Sequence, residues 1–415
     1  MSVGLEAVRE IPDLTDQRTF VDDVPHEAFA VLRERPGLYW QPTTQSTTHG
    51  GYWAVTRHAD IREIERDPET FTSSHGCAYP LMTRGPVEGP LGDGIMMTDP
   101  PRHTRLRRAA AMGFVPKVVK NFDPWVRDIV REQIERVRDL DEFDYVQEFA
   151  RTIPAYVVAR VLGSPREDRK LIADYAVLTF GSLQETDGLA EDETPFSNEE
   201  YMKVAATIVE YATRIQAEKR EHPGEDMFTA LTGCVDRDEI NQSEFLQWMQ
   251  LIIGAGFETT HTAIGQSMRM YLEDADVREA TDRALVEGRA DALVNEYLRL
   301  ISPVIQMART VTRPTEIAGQ ELCPDDIVVL YYTSANRDPA VFSEPDRFDP
   351  WREGDSLSFG SGVHRCLGLH LAKLEISILF EELRATGLEL RLNGTPKRGW
   401  SNFINQLVEL PVARV

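Results

Sequence analysis

Cysteine is scarce in this chain of 415 residues. Cys77, Cys234, Cys323 and Cys366 are scattered, without the close CxxC spacing of a structural zinc site or the density of a disulfide framework. A stapled secreted scaffold is excluded, and the reducing cytoplasm is the expected compartment. Positive charge is also short. The 45 Lys and Arg against 68 Asp and Glu leave a net charge of -23, which disfavours nucleic acid as a partner because phosphate binding is driven by cations. Long apolar runs are missing: MQLIIGAGF is about as long as they get, well under the ~18 residues a membrane span needs. The first residues, MSVGLEAVREIPDLTDQRTFVDD, lack the basic region and apolar run of a signal peptide, and their acidic residues argue against a transit peptide. Internal repeats, low-complexity tracts and a dividing linker are absent as well. One large domain, 1–415, with no membrane or nucleic-acid partner is expected.

What is present is a 42% hydrophobic content, ample for a sizeable core. Short strand-like pieces such as GYWAVT make the region of about 1–75 richer in β, and CAYPLMTRGPVEGPLGDG has too many breakers for anything but a long loop. From Pro101 to about Gly288 the pattern turns amphipathic and helical, in HTRLRRAAAMGF, DPWVRDIVREQIERVRDL and YMKVAATIVEYATRIQAEKR. The acidic run LQETDGLAEDETPFSNEE reads as a solvated loop between two of these helices. Another helix, LVNEYLRLI, precedes strand, turn and strand in TEIAGQELCPDDIVVLYY, a Pro- and Asp-rich meander, and a last strand in NQLVELPVARV. The fold class predicted is mainly α with a minor β part.

The densest chemistry lies in FGSGVHRCLG, which opens the helical run LHLAKLEISILFEEL. A sulfur at the N-terminal end of a helix meets unpaired backbone N–H groups and the favourable end of the macrodipole, which together lower a thiol pKa. A nucleophile and a metal ligand both need that thiolate, and a small buried hydrophobe is the bland alternative. Gly360, Gly362 and Gly368 would let a flat, bulky ligand approach the backbone, and Phe359 would wall the sulfur off from water.

Phe359, Gly362, Cys366 and Gly368 fill every fixed position of F-x-x-G-x-x-x-C-x-G, and here the sequence resembles the cytochrome P450 family of haem-thiolate monooxygenases. The resemblance implies a cytochrome P450 fold, with haem b between a long central helix and the cysteine loop, and Cys366 as proximal iron ligand. It implies that His103 and Arg107 in PPRHTRLRR, Arg309 in QMART and His364 meet the haem propionates, which as buried carboxylates need cationic or donor partners. Ala255 is expected against the haem face. Glu296 and Arg299, with Arg347 in the motif-like ANRDPAVFSEPDRFDPWR, would form a structural Glu–Arg–Arg cluster locking the meander beneath the loop.

Asn241 and Glu244 have capping-box spacing, and the apolar pattern runs on without Pro to about Tyr271, a helix of roughly 30 residues or ~45 Å. Gly254, Ala255 and Gly256 in its middle weaken it, each Gly by roughly 1 kcal/mol relative to Ala, so either a cofactor or another helix should approach closely there. Glu258–Thr259 follows directly. Dioxygen cleavage to water consumes two protons, so Thr259 is expected to be the hydroxyl near the oxygen and Glu258 the carboxyl supplying protons from the solvent side. Many family members carry Asp where Glu258 stands, one methylene shorter.

Family resemblance maps substrate contacts to Tyr79, Leu81, Leu251, Ala255, Val304, Ile305 and Phe403, a mainly apolar set suited to a terpenoid, steroid or lipid chain. No flavin or nicotinamide motif is apparent and no reductase domain follows Cys366, so a monomer fed by a separate ferredoxin and its reductase is expected. Arg102, Arg105, Arg107, Arg108, Arg365 and Lys373 could form the donor's local basic dock. The function expected is hydroxylation with one atom of dioxygen. A haem-thiolate peroxygenase or isomerase, which would not need the relay, and a haem-based binding protein without turnover are the alternatives.

Overall fold

The computed structural model describes residues 11–44, 47–79, 94–176 and 198–415. The Pro/Gly-rich stretch expected to be a loop lies outside them from Pro80 to Asp93, including Leu81, as does the acidic run up to Ser197. The N-terminal part alternates short elements: α1 (His26–Glu34), β1 (Tyr39–Pro42), β2 (Gly51–Val55), α2 (His58–Arg66) and β3 (Phe71–Thr72). A helical body follows with α3 (Arg102–Ala111), α4 (Pro116–Val119), α5 (Asp123–Val137), β4 (Glu142–Asp144), α6 (Thr152–Leu162), α7 (Arg169–Ala176), α8 (Asn198–Glu221), α9 (Met227–Asp236), α10 (Gln242–Glu273), α11 (Ala275–Val286) and α12 (Ala290–Ile301). The chain then returns to β structure in β5 (Gln306–Val311), β6 (Thr315–Ile317), β7 (Gln320–Leu322) and β8 (Ile327–Tyr331), followed by α13 (Tyr332–Ala335). After the meander come α14 (Leu369–Thr386), β9 (Leu390–Leu392), β10 (Lys397–Arg398), β11 (Leu407–Glu409) and β12 (Pro411–Arg414).

The main sheet has the order β1-β2-β8-β5-β3 and is antiparallel except where β2 pairs with β8. Residues remote in sequence thereby share one wall: β5, carrying Arg309, lies between β8, which follows it in the chain, and β3 from the N-terminal part. The largest apolar core belongs to the helices, running from Val126 and Ile134 on α5 through Phe245 and Ile264 on α10 to Ile376 and Leu379 on α14. Among the described residues no helix is long and apolar enough to cross a membrane.

Helix α10 spans 32 residues and starts with the capping box read from the sequence. The Glu244 amide donates to Asn241 Oδ1 at 2.8 Å, and the Asn241 amide donates to Glu244 Oε2 at 3.0 Å. Glu244 also receives Arg105, whose Nη2 and Nη1 lie 2.5 and 2.9 Å from its two carboxylate oxygens. The residue that ends one helix's unpaired N–H groups therefore also fixes α3, the helix that carries His103 and Arg107.

Behind the cysteine loop, Arg299 of α12 is among the largest fully buried side chains. It holds Glu296 in a fork, at 2.8 and 2.7 Å, and donates through Nη1 to the carbonyls of Asn336 and Pro345, both at 2.7 Å. The third arginine is not Arg347. Its side chain lies in solvent against Glu344, and the carboxylate is met instead by Arg352 Nε at 3.3 Å, while Arg347 contributes its backbone carbonyl to both Arg299 and Arg352. Sequence spacing could not separate two arginines five residues apart in an irregular meander, where no helical or strand period says which one points inward.

The loop ahead of α14 owes its path to two glycines with positive φ, Gly360 at 61° and Gly362 at 63°. A Cβ on Gly362 would come within 2.0 Å of the Glu65 carbonyl oxygen at the end of α2. Gly368 differs, having ordinary φ and nothing within 4 Å of where its Cβ would stand.

Thermal melts should separate these glycines: Gly362→Ala is expected to lose stability by ~2 kcal/mol or more through backbone collision and strain, and Gly368→Ala to melt with the wild type. Urea titration should likewise rank the arginines, with Arg352→Ala destabilised by about 2–4 kcal/mol and Arg347→Ala within about 0.5 kcal/mol of wild type.

Candidate functional site

Three parts of the fold converge on an interior cavity of about 280 Å³: the middle of α10 on one side, the loop and first turns of α14 on the other, and α3 with β5 along an edge. Cys366 stands on its wall, with its amide donating to the Phe359 carbonyl at 2.8 Å to close the loop. The Cys366 sulfur is exposed to the cavity, and the protein packed around it desolvates it. Burial raises its pKa, against the lowering effect of the Gly368 and Leu369 amides and of the Arg107 and Arg365 charges. These N–H groups are the unpaired donors at the head of α14, and their orientation toward the sulfur favours the thiolate that a metal would bind.

At the edge, four side chains predicted from the sequence come together. His103 and His364 pack with ring centroids 4.3 Å apart, and Arg107 and Arg309 line the same cavity. Arg107 Nη2 donates to the Arg365 carbonyl and Arg309 Nη1 to the Ala308 carbonyl, each at 2.7 Å, and neither forms an ion pair among the described residues. His364 is pushed down to about 2 by burial and by the Arg309, His103 and Arg107 neighbours, so it is neutral at any physiological pH. Thr98's backbone engages its ring on one side, and Nε2 is buried without a partner. Burial and Arg107 also lower His103. A buried guanidinium, Arg309, and a half-buried one, Arg107, both without carboxylates, and two neutral imidazoles form a donor set that lacks only its anions.

On α10, Ala255, Thr259 and Leu251 face the cavity, as do Ile252, Gly256 and Thr260. Thr259 Oγ1 donates to the Ala255 carbonyl one turn back at 2.8 Å, which leaves its lone pairs free for the cavity. The small-residue cluster has two neighbours: Gly256 lines the cavity, and a Cβ on it would also come 3.0 Å from Val158 of α6, so helix packing accounts for part of the cluster. Glu258 is not on the cavity wall. It is 2% exposed, its carboxylate oxygens have no hydrogen-bond partner among the described residues, and its nearest ionisable neighbour is His261 Nδ1 at 3.7 Å. Successive helical residues point about 100° apart, so a cavity-facing Thr259 turns Glu258 inward to the protein, not outward to solvent as the sequence suggested.

The expected substrate contacts divide. Leu251 and Val304 line the cavity, whereas Ile305 belongs to the core of the sheet, because successive residues in extended chain face opposite sides. Tyr79 is packed in the same core, its hydroxyl donating to Thr43 Oγ1 at 2.8 Å, and Phe403 sits one layer back against Val304 and Met307. Leu81 falls outside the described residues. Lining residues that sequence reasoning missed include Glu65, Met96, Trp248, Met307 and Glu375. Met96 and Trp248 carried an apolar signal no different from core, and Glu65 and Glu375 looked like ordinary charges on amphipathic helices.

The donor set suits a flat metal cofactor with two acidic tails. Two cysteines line the cavity: Cys366, whose sulfur meets the amides at the head of α14, and Cys77, whose thiol burial pushes up to about 11 so that it keeps its proton. No cluster of three or more His, Cys, Asp or Glu among the described residues could hold a metal directly, and the space beside Gly368 is clear. The unpartnered Nε2 of His364 and the unpaired guanidiniums of Arg107 and Arg309 match the tails.

Comparison with known proteins points the same way. The model of the cytochrome P450 family matches residues 52–383. The linalool 8-monooxygenase of Pseudomonas putida is 30% identical over 98% of this chain and 99% of its own length. The methyl-branched lipid omega-hydroxylase of Mycobacterium tuberculosis is 33% identical over 94% of this chain and 91% of its own. A Mycobacterium marinum cytochrome P450 in complex with pseudoionone superposes with a TM-score of 0.83 at 27% identity, covering 94% of each chain. A family model spanning most of the chain, full-length relatives and a cysteine facing a glycine- and threonine-bearing helix leave one conclusion: the chain is a monooxygenase of the cytochrome P450 family.

Proposed function

We propose that this enzyme hydroxylates a hydrophobic small molecule, of terpenoid, steroid or lipid type, using dioxygen and electrons from a separate ferredoxin-type donor and its reductase. The observation that carries this reading is the placement of the Cys366 sulfur and the Thr259 hydroxyl on opposite walls of one largely apolar cavity. Haem b, held by Cys366 and by His103, Arg107, Arg309 and His364 at its propionates, would supply the oxygen-activating iron, made electron-rich by its thiolate ligand. Phe359, Gly360 and Gly368 shape the sulfur side, and Ala255 the opposite side.

The chain's own part is to bind, orient and handle protons. Leu251, Ile252, Val304 and Met307 offer apolar surface that excludes water and holds a hydrophobic ligand without polar anchors. Thr259 holds a proton at Oγ1 within the cavity, and the adjacent buried carboxyl of Glu258, whose oxygens have no hydrogen-bond partner among the described residues, is taken as its source. The relatives named for linalool and for methyl-branched lipids support the substrate class. For the electron donor, Arg108 and Arg365 are exposed and Lys373 lies over the Phe359 ring at 5.5 Å, whereas Arg102 and Arg105 are engaged by Glu244. The proposed dock is therefore narrower than the sequence cluster and centres on the surface behind Cys366.

Purified protein supplied with a ferredoxin system, NADH and hydrophobic candidates should yield a hydroxylated product with substrate-dependent NADH consumption. Ligand-induced spectral change without product would favour a binding protein. In Cys366→Ala the reduced carbonyl complex is expected to lose the Soret position of a thiolate-bound iron, and an unchanged position would remove Cys366 from its role. Thr259→Ala is expected to uncouple turnover by about tenfold or more, with peroxide replacing product in an NADH-to-product assay.

A further inference from the structure

Two carboxyl groups line the cavity, Glu65 from α2 and Glu375 from α14, and their surroundings differ in kind. Glu375 is fully enclosed, its Oε2 has no partner, and burial pushes its pKa well above the carboxylate range, which makes it a neutral acid. Glu65 is also buried but accepts from three donors. The Tyr332 hydroxyl reaches Oε1 at 2.6 Å, and the Ser361 amide and hydroxyl reach Oε2 at 2.7 and 2.6 Å. Donors alone surround it, the complement of an ionised carboxylate. Tyr332 stays a phenol, its pKa raised well above the usual value by burial and by the Glu65 charge.

The contact extends to the backbone. Gly360 lies against Glu65 Oε1, with a Cβ there falling 3.1 Å away, and Gly362 lies against the Glu65 carbonyl. Residues 360, 361 and 362 are thus all gripped by one residue of α2, immediately before the turn that delivers Cys366. The Gly360 amide to the Leu357 carbonyl at 2.9 Å and the Cys366 amide to the Phe359 carbonyl at 2.8 Å are internal to the loop, and Arg107 of α3 ties its far end through the Arg365 carbonyl at 2.7 Å, which leaves Glu65 to hold the glycine-bearing half.

We propose that Glu65 is the positioning residue for the Cys366 loop, and that its charge, fixed in the cavity wall, holds down the reduction potential of bound haem. This rests on the haem-thiolate reading above. Reduction adds negative charge to a desolvated space, and a fixed anion facing that space opposes it more strongly than it would in water. Arg309, close enough to act on Tyr332 alongside Glu65, offsets part of the field, and that offset is shared once a propionate takes the same guanidinium.

Glu65→Gln tests the charge while preserving shape. Glutamine can present its oxygen to Ser361 and its amide to Tyr332, whose hydroxyl can accept instead of donate. Spectroelectrochemistry is expected to show the potential shifted positive, with the Soret band of the reduced carbonyl complex in its wild-type place. Hydrogen exchange is expected to quicken across residues 359–366. Ser361→Ala keeps the charge and removes one donor, so it should quicken the same amides and leave the potential near wild type. A Glu65→Gln potential equal to wild type, or wild-type exchange in Ser361→Ala, overturns the assignment. Should Glu65→Gln fail to fold or to retain haem, Ser361→Ala alone decides by its exchange. A wild-type protein without the thiolate Soret band would overturn the haem reading itself, a result distinguishable from either.

Discussion

The Cys366 sulfur receives the Gly368 and Leu369 amides at the head of α14 while it faces an interior space, and that contact sets the terms for everything around it. A desolvated thiol prefers its proton, so a chain that is to use it as a ligand must bring donors to the sulfur and keep water out. The two amides come from the helix start at no cost in side chains. The remaining requirement is that the loop stays where the helix dipole can reach it. That is achieved by glycines with positive φ at 360 and 362, and by the close packing of α2 against them.

A second constraint is electrostatic. Arg107 and Arg309 are held on the cavity wall by carbonyl contacts and form no ion pair among the described residues, and His364 is kept neutral by burial and by their fields. Buried cations without anions are costly, and the arrangement makes sense as one half of a pair whose other half is the cofactor. The Arg105–Glu244 contact shows how this half is assembled, since the carboxylate that caps α10 also sets α3 and with it His103 and Arg107. The α10 wall of the cavity and its α3 edge are thereby tied to one ion pair.

Much of this was legible in the sequence where a local rule applied. The capping box at Asn241 and Glu244, the length of α10, and the strands near GYWAVT, IVVLYY and the C-terminus follow from side-chain chemistry and period, and the structure shows them. The cysteine loop was legible because glycine, cysteine and helix start lie within ten residues. Legibility ended where two elements must meet. Arg352 rather than Arg347 completes the Glu296 cluster, Glu258 turns inward, and Ile305 and Phe403 stand behind the cavity wall, each decided by which side of its segment faces a neighbour remote in sequence.

What the sequence determined by itself is the mainly helical class, the long central helix and the identity of the cysteine-bearing loop, because these depend on residues close along the chain whose torsions and hydrogen bonds are local. What only the tertiary structure decided is which charges share a space: Glu65 with Ser361 across 296 residues, Arg105 with Glu244 across 139, and Arg107 with the carbonyl of Arg365 across 258. The physical reason is that burial sets the strength and sign of each of these interactions. A glutamate on an amphipathic helix reads the same whether it ends in solvent, as a neutral acid like Glu375, or as the hydrogen-bonded anion that Glu65 becomes once α2 meets the loop.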